Sequence, residues 1–399
     1  MKGLKHIARD FLHRMQLPPL AKVVLRSDEG PQTSPDPGPA RVIDEGIAWL
    51  GRAQDRSASH DGGVARHFSL LDGWATSYPE TTGYIVPTMI TYGQETGGRD
   101  AIARARRMLD WLVAIQFPEG GFQGGMVHQV PRVPVTFNTG QILMGLAAGA
   151  VLDPRYLEPM RNAADWLVAT QDADGCWRKH PTPFAAAGEK TYETHVALGL
   201  MDAAAVENNR GYLEAALKQV DWALANQADN GWLAKCCLEE PTHPLTHTLG
   251  YALRGIIGAF LSSREQRYLR AASLTADGLM SALKPDGCMP GRLDAQWGAA
   301  ADWVCLTGSS QIAHCWLLLH RETDRADYCK AGLAANAYVR KTIALDGPDD
   351  MRGGVKGSFP VNGGYGTWQY LNWACKFTID ANREELKLTS GGHNPARMN

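Results

Sequence analysis

One phrase recurs through the chain: "DWLVAIQFPEGGF" at 110–122, "DWLVATQDADGCW" at 165–177 and "DWALANQADNGW" at 221–232. Each copy keeps Asp-Trp, a Gln five residues after the Trp, then a Gly and an aromatic residue. An earlier copy is Trp49 with Gln54 and "DGG" at 61–63; "TADGLMSALKPDG" (275–287) is a degraded one, and "RGGVKGSF" (352–359) keeps only the turn. Turn glycines at 120, 175, 231 and 287 are spaced by 55, 56 and 56 residues, so six copies fill the 399 residues. Self-similarity at a fixed period makes each copy one supersecondary unit that buries its apolar face against its neighbours, and this decides the architecture before local propensity does.

Between consecutive turns there is room for one further helix. "TGYIVPTMITYGQETG", "TGQILMGLAAGAVL", "THVALGLMDAAAVE", "LTHTLGYALRGIIGAFL", "LTGSSQIAHCWLLLHRE" and "LNWACKFTIDANREEL" occupy those intervals. They are richer in Gly, Ala and apolar residues than the Trp-bearing helices, as expected of helices buried on most sides. The Trp helices carry more charge, as in "DAIARARRMLDWL", and suit an outer ring. The expected fold is all-α: one (α/α)6 toroid of six inner and six outer helices over 41–399. Before it come a helical segment at 1–26 and a Pro-rich linker at 27–40, "SDEGPQTSPDPGPA".

Forty basic and 42 acidic residues are well mixed and leave a net charge of −2, which gives no footprint for nucleic acid. Eight cysteines in a chain of this length, two of them adjacent at 236–237 and none in a zinc-finger spacing, read as reduced thiols rather than a disulfide framework. The first 25 residues lack the apolar core and small-residue cleavage site of a secretion signal, and no 18-residue apolar run occurs. The expectation is a cytoplasmic protein without a membrane span, whose N-terminal helix is available for a partner contact.

In such a toroid every inner helix starts at the same end, so six N-termini give a mouth with a positive backbone field suited to anionic groups. The helix starts supply the candidate site residues. "SYPETTGYI" places Tyr78, Glu80 and Tyr84 there; "FNTGQ" places Asn138 and Gln141; "TYETHVAL" places Tyr192, Glu193 and His195. "THPLTHTLGYALR" brings His247 and Tyr251, "DWVCLTGSSQ" brings Asp302, Trp303 and Gln311, and "GGYGTWQYLNWACK" brings Tyr365, Trp368, Tyr370 and Asn372. Thr82, Asn138, Thr194, Thr246 and Asp302 also suit N-caps. His195 and His247 stand at equivalent points of neighbouring helices, which favours a shared role.

The Trp/Gln phrase resembles the repeat of the terpene-cyclase and protein-prenyltransferase β-subunit superfamily, in which the Gln caps a helix and the Gly turn leads back to the barrel. That resemblance implies the toroid and raises isoprenoid chemistry as one reading. No DxDD acid occurs, and Asp302-Trp-Val-Cys305 is one residue too long for the prenyltransferase zinc pattern. Toroids of this kind also host polysaccharide lyases, unsaturated glucuronyl hydrolases and uronate epimerases, and this chain resembles carbohydrate-active toroid enzymes of bacterial polysaccharide pathways. The preferred reading is therefore an enzyme acting on a uronate-containing poly- or oligosaccharide.

Lyase or C5-epimerase chemistry neutralises the uronate carboxylate and removes the proton beside it. His195 or His247 with Tyr192 or Tyr370 would be the acid/base pair, and Glu80, Glu193 and Asp302 would bind or protonate. Asn138 with Arg132 or Lys356 would hold the carboxylate, and Tyr84, Gln141, Tyr251, Trp303, Gln311, Tyr365, Trp368 and Asn372 would contact the sugar. Glycoside hydrolysis by two carboxyls is the variant, and a non-catalytic glycan- or protein-binding toroid is the other alternative. No cofactor and no resident metal are expected; His243 and His247 are four apart, and Cys236, Cys237 and Asp302 would complete a zinc site only if the loops folded inward.

Overall fold

The computed structural model describes residues 16–31 and 34–390. An N-terminal helix α1 (Pro19–Glu29) is followed by six outer and six inner helices in strict alternation. The outer ones are α2 (Pro39–Asp55), α4 (Arg99–Ile115), α6 (Leu157–Thr170), α8 (Arg210–Leu224), α10 (Gln266–Ser281) and α12 (Ala326–Lys341). The inner ones are α3 (Pro79–Thr96), α5 (Thr136–Leu152), α7 (Thr194–Glu207), α9 (Thr246–Ser263), α11 (Leu306–Thr323) and α13 (Asn372–Ser390). Each inner helix packs on the next and α13 packs on α3, which closes the expected (α/α)6 toroid. No helix is long and apolar enough to cross a membrane among the described residues.

Inner helices are buried on nearly every side, and their glycines sit where they meet. A Cβ on Gly145 of α5 would lie 2.3 Å from the Gly83 carbonyl oxygen of α3, and one on Gly199 of α7 would lie 2.4 Å from that of Gly140. Six helices crowd one axis because these contacts carry no side chain.

The Trp/Gln phrase proves to be the outer ring's fastening. Gln171 Nε2 donates to the carbonyl of its own turn glycine, Gly175 (3.0 Å), and to that of Ala215 in the next outer helix (2.9 Å). Gln116 repeats this with Gly120 (2.9 Å) and Pro159 (3.0 Å), and Gln54 with Gly62 (2.8 Å) and Arg104 (3.2 Å). The Asp of the phrase takes a second fastening: Tyr156, Tyr212, Tyr268 and Tyr328 donate to Asp110, Asp165, Asp221 and Asp277 of the preceding outer helix at 2.7–2.9 Å. The Gln is thus a bridge between neighbouring units as well as a brace for its own turn.

Closure lacks the Gln and relies on the turn glycines themselves. Gly353, at φ +78°, would drive a Cβ to 2.2 Å from the Glu45 carbonyl oxygen of α2, and Gly354 lies under the Trp49 indole. A small sheet adds a second clasp between the chain ends. In it β1 (His67–Ser69) lies between β2 (Gly73–Trp74) and β5 (Gln369–Leu371), antiparallel to both. Two further strands, β3 (Val304–Cys305) and β4 (Ser358–Phe359), pair with each other.

Helix α1 runs through Glu29, three residues into the segment expected as a linker, and that segment is tied to the toroid at two points. Buried Asp28 pairs with buried Lys356 and accepts from the Val361 amide (2.9 Å), while Asp36 takes both Nε and Nη2 of buried Arg340 (2.7 and 2.6 Å). The partner contact expected of the N-terminal helix falls largely on residues 1–15, outside the described residues.

Two substitutions separate closure from backbone preference. Gly347→Ala, at φ +100° with nothing near its Cβ position, is expected to cost about 1–2 kcal/mol. Gly353→Ala adds a collision with α2 and is expected to cost several kcal/mol more, read as the difference in urea unfolding midpoints. Equal midpoints for the two variants would mean that the last turn does not hold the ring shut. Gln171→Leu leaves two carbonyls without their donor and is expected to cost about 1–3 kcal/mol in the same experiment.

Candidate active site

At the end where the inner helices begin, a cavity of about 620 Å3 opens between the helix starts and the loops around them. Its wall takes Tyr78 and Glu80 from α3, Phe137 and Asn138 from α5, Tyr192 ahead of α7, His247 and Tyr251 from α9, and Tyr365 and Trp373 around the start of α13. Tyr84 and Tyr251 meet hydroxyl to hydroxyl (3.4 Å) at its floor, with Phe377 against both rings. Below this aromatic layer lies a separate cavity of about 230 Å3, lined by His195, Gln311, Asp202, Arg254, His314 and Lys376 among others.

Glu80 is the buried carboxyl of the mouth, 8% exposed. Its Oε2 accepts from the Tyr78 hydroxyl (2.8 Å) and from Asn138 Nδ2 (3.1 Å). Burial pushes its pKa up to about 7, outweighing the opposing pull of the Tyr78 hydrogen bond and the Arg66 charge. His247 is its counterpart. Its Nδ1 donates to Gln311 Oε1 on α11 (2.7 Å), which leaves the Nε2 lone pair free, and burial pushes its pKa down to about 4. Glu80 and His247 stand on the first and fourth inner helices, opposite one another across the ring.

His195 has the same dyad one helix earlier, with Gln141 Oε1 as acceptor (2.6 Å), and burial holds it well below its ordinary pKa. Both imidazoles lie against Tyr251, at 4.5 and 4.4 Å between centroids, but His195 faces the cavity below the floor. Burial holds the phenols of Tyr78, Tyr84, Tyr192, Tyr251 and Tyr365 well above their ordinary range, so they are hydrogen-bond donors at neutral pH rather than bases.

Glu193 is 7% exposed and raised by burial to about 8, and it opens on a side recess rather than on the mouth. Tyr370 is buried in β5, paired with Phe68. Lys356 is consumed by its pair with Asp28. Arg132 is exposed, over the Phe117 ring (5.3 Å), and Asp302 is exposed on the loop ahead of α11. Trp303 packs on Gly291 and the Gly363-Gly364 loop, Trp368 is buried beside β5, and Asn372 donates to the Ala65 carbonyl (2.9 Å) and Thr81 Oγ1 (2.8 Å). These seven, like Glu193, do not line the mouth cavity. Gln141 and Gln311 do not line it either; they hold the two imidazoles.

None of the five residues suited to N-caps caps its helix. Val64 N–H donates to Thr82 (3.0 Å), Thr194 donates to the Ala252 carbonyl (3.0 Å), Thr246 donates to the Gly291 carbonyl (3.3 Å), and Asn138 serves Glu80. The inner helices begin instead at Tyr78, Val135, Glu193, Leu245 and Cys305, without a side-chain cap.

Loops away from the helix starts also line the mouth, with Gln129, Glu239, Arg292 and Arg66 among their polar residues. Arg66, just ahead of β1, is held by Gln369 Oε1 on β5 (3.1 Å) and stacks over Trp373 (4.9 Å). The β1–β5 clasp places it, and a search confined to helix starts passes over it; a lone Arg four residues after a turn glycine was the available signal. Among the described residues no three His, Cys, Asp or Glu side chains come together as metal ligands. Cys236 is buried against the Thr248 carbonyl, while His243 is exposed with Thr242 as its neighbour.

No protein-family model and no curated protein matches the sequence. Solved structures do match over most of the chain. An unsaturated glucuronyl hydrolase specific for heparin is similar at TM-score 0.69 and 15% identity, covering 88% of this chain and 98% of that one. A sugar epimerase from a ruminal bacterium is similar at TM-score 0.72 and 11% identity, covering 88% and 100%. A polysaccharide lyase is similar at TM-score 0.61 and 13% identity, covering 89% and 99%. The chain has the (α/α)6 toroid fold of these three proteins.

Proposed function

We propose that the chain is a carbohydrate-active enzyme that removes the C5 proton of a uronate unit, as a lyase or a C5-epimerase. The observation that carries this reading is the opposition of Glu80 and His247 across one cavity, with ionisation shifted in contrary directions. Between about pH 4 and about pH 7 one is a neutral acid and the other a neutral base, the pairing that proton transfer at carbon requires. Arg66 takes the part first considered for Arg132: its guanidinium neutralises the carboxylate, which makes the adjacent C–H acidic.

The steps follow from the positions. His247 Nε2 takes the C5 proton, and the C–H electron pair moves into the carboxylate as an enolate held by Arg66. In elimination that pair then forms the C4–C5 double bond while the C4–O bond breaks, and Glu80 gives its proton to the departing oxygen. In epimerisation Glu80 returns a proton to C5 from the opposite face. The hydrolytic variant asks for two carboxyls roughly 5–10 Å apart about one glycosidic bond; buried Glu193 opens on the side recess, and the carboxyl that shares the mouth with Glu80 is Glu239, on an exposed loop. The likeness to the three sugar-enzyme structures supports the substrate class; the isoprenoid reading draws no comparable support from the mouth.

Incubation with a panel of uronate glycans in deuterated water distinguishes the outcomes. Unsaturated-uronate absorbance marks elimination, and deuterium at C5 without it marks epimerisation; silence in both across the panel would reject proton abstraction. His247→Ala is expected to lower turnover by roughly 10^2–10^4-fold with the melting temperature nearly unchanged.

The pH profile of kcat/KM is expected to be a bell. It rises as His247 loses its proton near pH 4 and falls as Glu80 loses its own near pH 7. Glu80→Gln should be much slower, and its residual rate should no longer fall above pH 7. An alkaline limb that survives in this variant would remove Glu80 from the acid's role.

A further inference from the structure

Beside the mouth cavity, and sharing Phe137, Thr182 and Tyr192 with it, is a recess of about 240 Å3. One wall is aromatic, from Trp177 and Phe137, and the outer lip is the loop that carries Thr182 and Ala186. Trp177 is fixed by its Nε1–H donating to the Leu167 carbonyl (2.8 Å), and Phe137 by an edge contact with Tyr192 (5.2 Å). The wall is therefore in place before any ligand arrives.

The recess also contains a buried carboxyl oxygen that the fold leaves without a hydrogen bond, and a buried lysine whose charge acts on that carboxyl. Glu193 is 7% exposed, and its Oε2 is buried with no hydrogen-bond partner. Lys190 is buried to the same degree and forms no ion pair among the described residues. Burying a carboxyl oxygen unpaired is costly, and native interiors rarely leave one so unless a ligand or water completes it. Aromatic faces with a few fixed polar groups suit a sugar ring, which offers an apolar C–H face and a rim of hydroxyls.

We infer that this recess is a second sugar subsite, so that the substrate is an oligosaccharide bound by at least two adjacent units. It rests on the reading of the mouth as a sugar site. The reacting uronate occupies the mouth cavity, and its neighbour passes over Tyr192 into the recess, placing hydroxyls on Glu193 and Lys190. Glu193 acts there as a binding group and takes no part in the proton transfer.

Calorimetric titration with glucuronic acid, and with disaccharides joining glucuronate to glucose or to N-acetylglucosamine, tests the inference. The parent protein is expected to bind at least one disaccharide tenfold or more tighter than the monosaccharide. Glu193→Ala should remove most of that gain and leave monosaccharide affinity unchanged, while Glu193→Gln, which still hydrogen-bonds a hydroxyl, should restore part of it. Ala186→Trp, a change at an exposed lip position, should fill the recess and remove the gain without touching the buried wall.

Equal affinities for monosaccharide and disaccharides in the parent would overturn the subsite. So would variants that weaken both ligand sizes alike. The two readings fail separately: a disaccharide gain that Glu193→Ala abolishes, with no C5 exchange or elimination, rejects the chemistry and keeps the subsite. C5 chemistry with no preference for the longer ligand does the reverse.

Discussion

The structure depends on one amide group used repeatedly. In the first four units the Gln that ends the outer helix reaches a carbonyl of the next outer helix, and in the first three it also satisfies the carbonyl of its own turn. Neutral hydrogen bonds of this sort contribute only about 0.5–1.5 kcal/mol each. Their value lies in angle: a toroid closes only if successive units turn by like increments, and the repeated bridge sets that increment at four of the six joints. The Tyr–Asp bond on the outer face repeats the constraint at a second height. The inner helices are then free to carry site residues, because their relative placement is set from outside.

Much of this was legible. The interval between turn glycines gave the six units, and the contrast between charged Trp helices and Gly/Ala-rich intervening helices assigned outer and inner rings. The tyrosines that answer the motif's aspartates recur at nearly the same interval as the turn glycines, yet they lie in the opposite end of each outer helix, and one phrase alone does not reveal them. In the mouth, Glu80, Asn138, Tyr192, His247, Tyr251 and Tyr365 follow from a single rule, that inner helices begin at one end.

What escaped followed from structure that periodicity does not encode. Arg66 owes its position to strand pairing between residues some 300 apart in sequence. Arg132 and Lys356 carry the charge that a carboxylate asks for, yet one lies outside the cavity and the other is neutralised by Asp28. The environment also divides the paired histidines. Equivalent positions on successive helices put one imidazole above the aromatic floor and the other below it, because the axis is filled by Tyr84, Tyr251 and Phe377. Burial raises a carboxyl and lowers an imidazole by the same mechanism, disfavouring charge, so a single apolar surround shifts Glu80 and His247 in contrary directions.

The clasp between β1 and β5 also sets an order of assembly. Gln369 and Trp373, which hold Arg66, belong to the last unit made on the ribosome, while Arg66 and Glu80 belong to the first. Nascent chain bearing five of the six units has Glu80 but lacks the support of Arg66, and α13 is not yet there to complete the floor. Synthesis therefore gives the growing polypeptide no competent pocket until its final helix is added. A chain broken off early holds most of the fold's mass and none of its finished mouth.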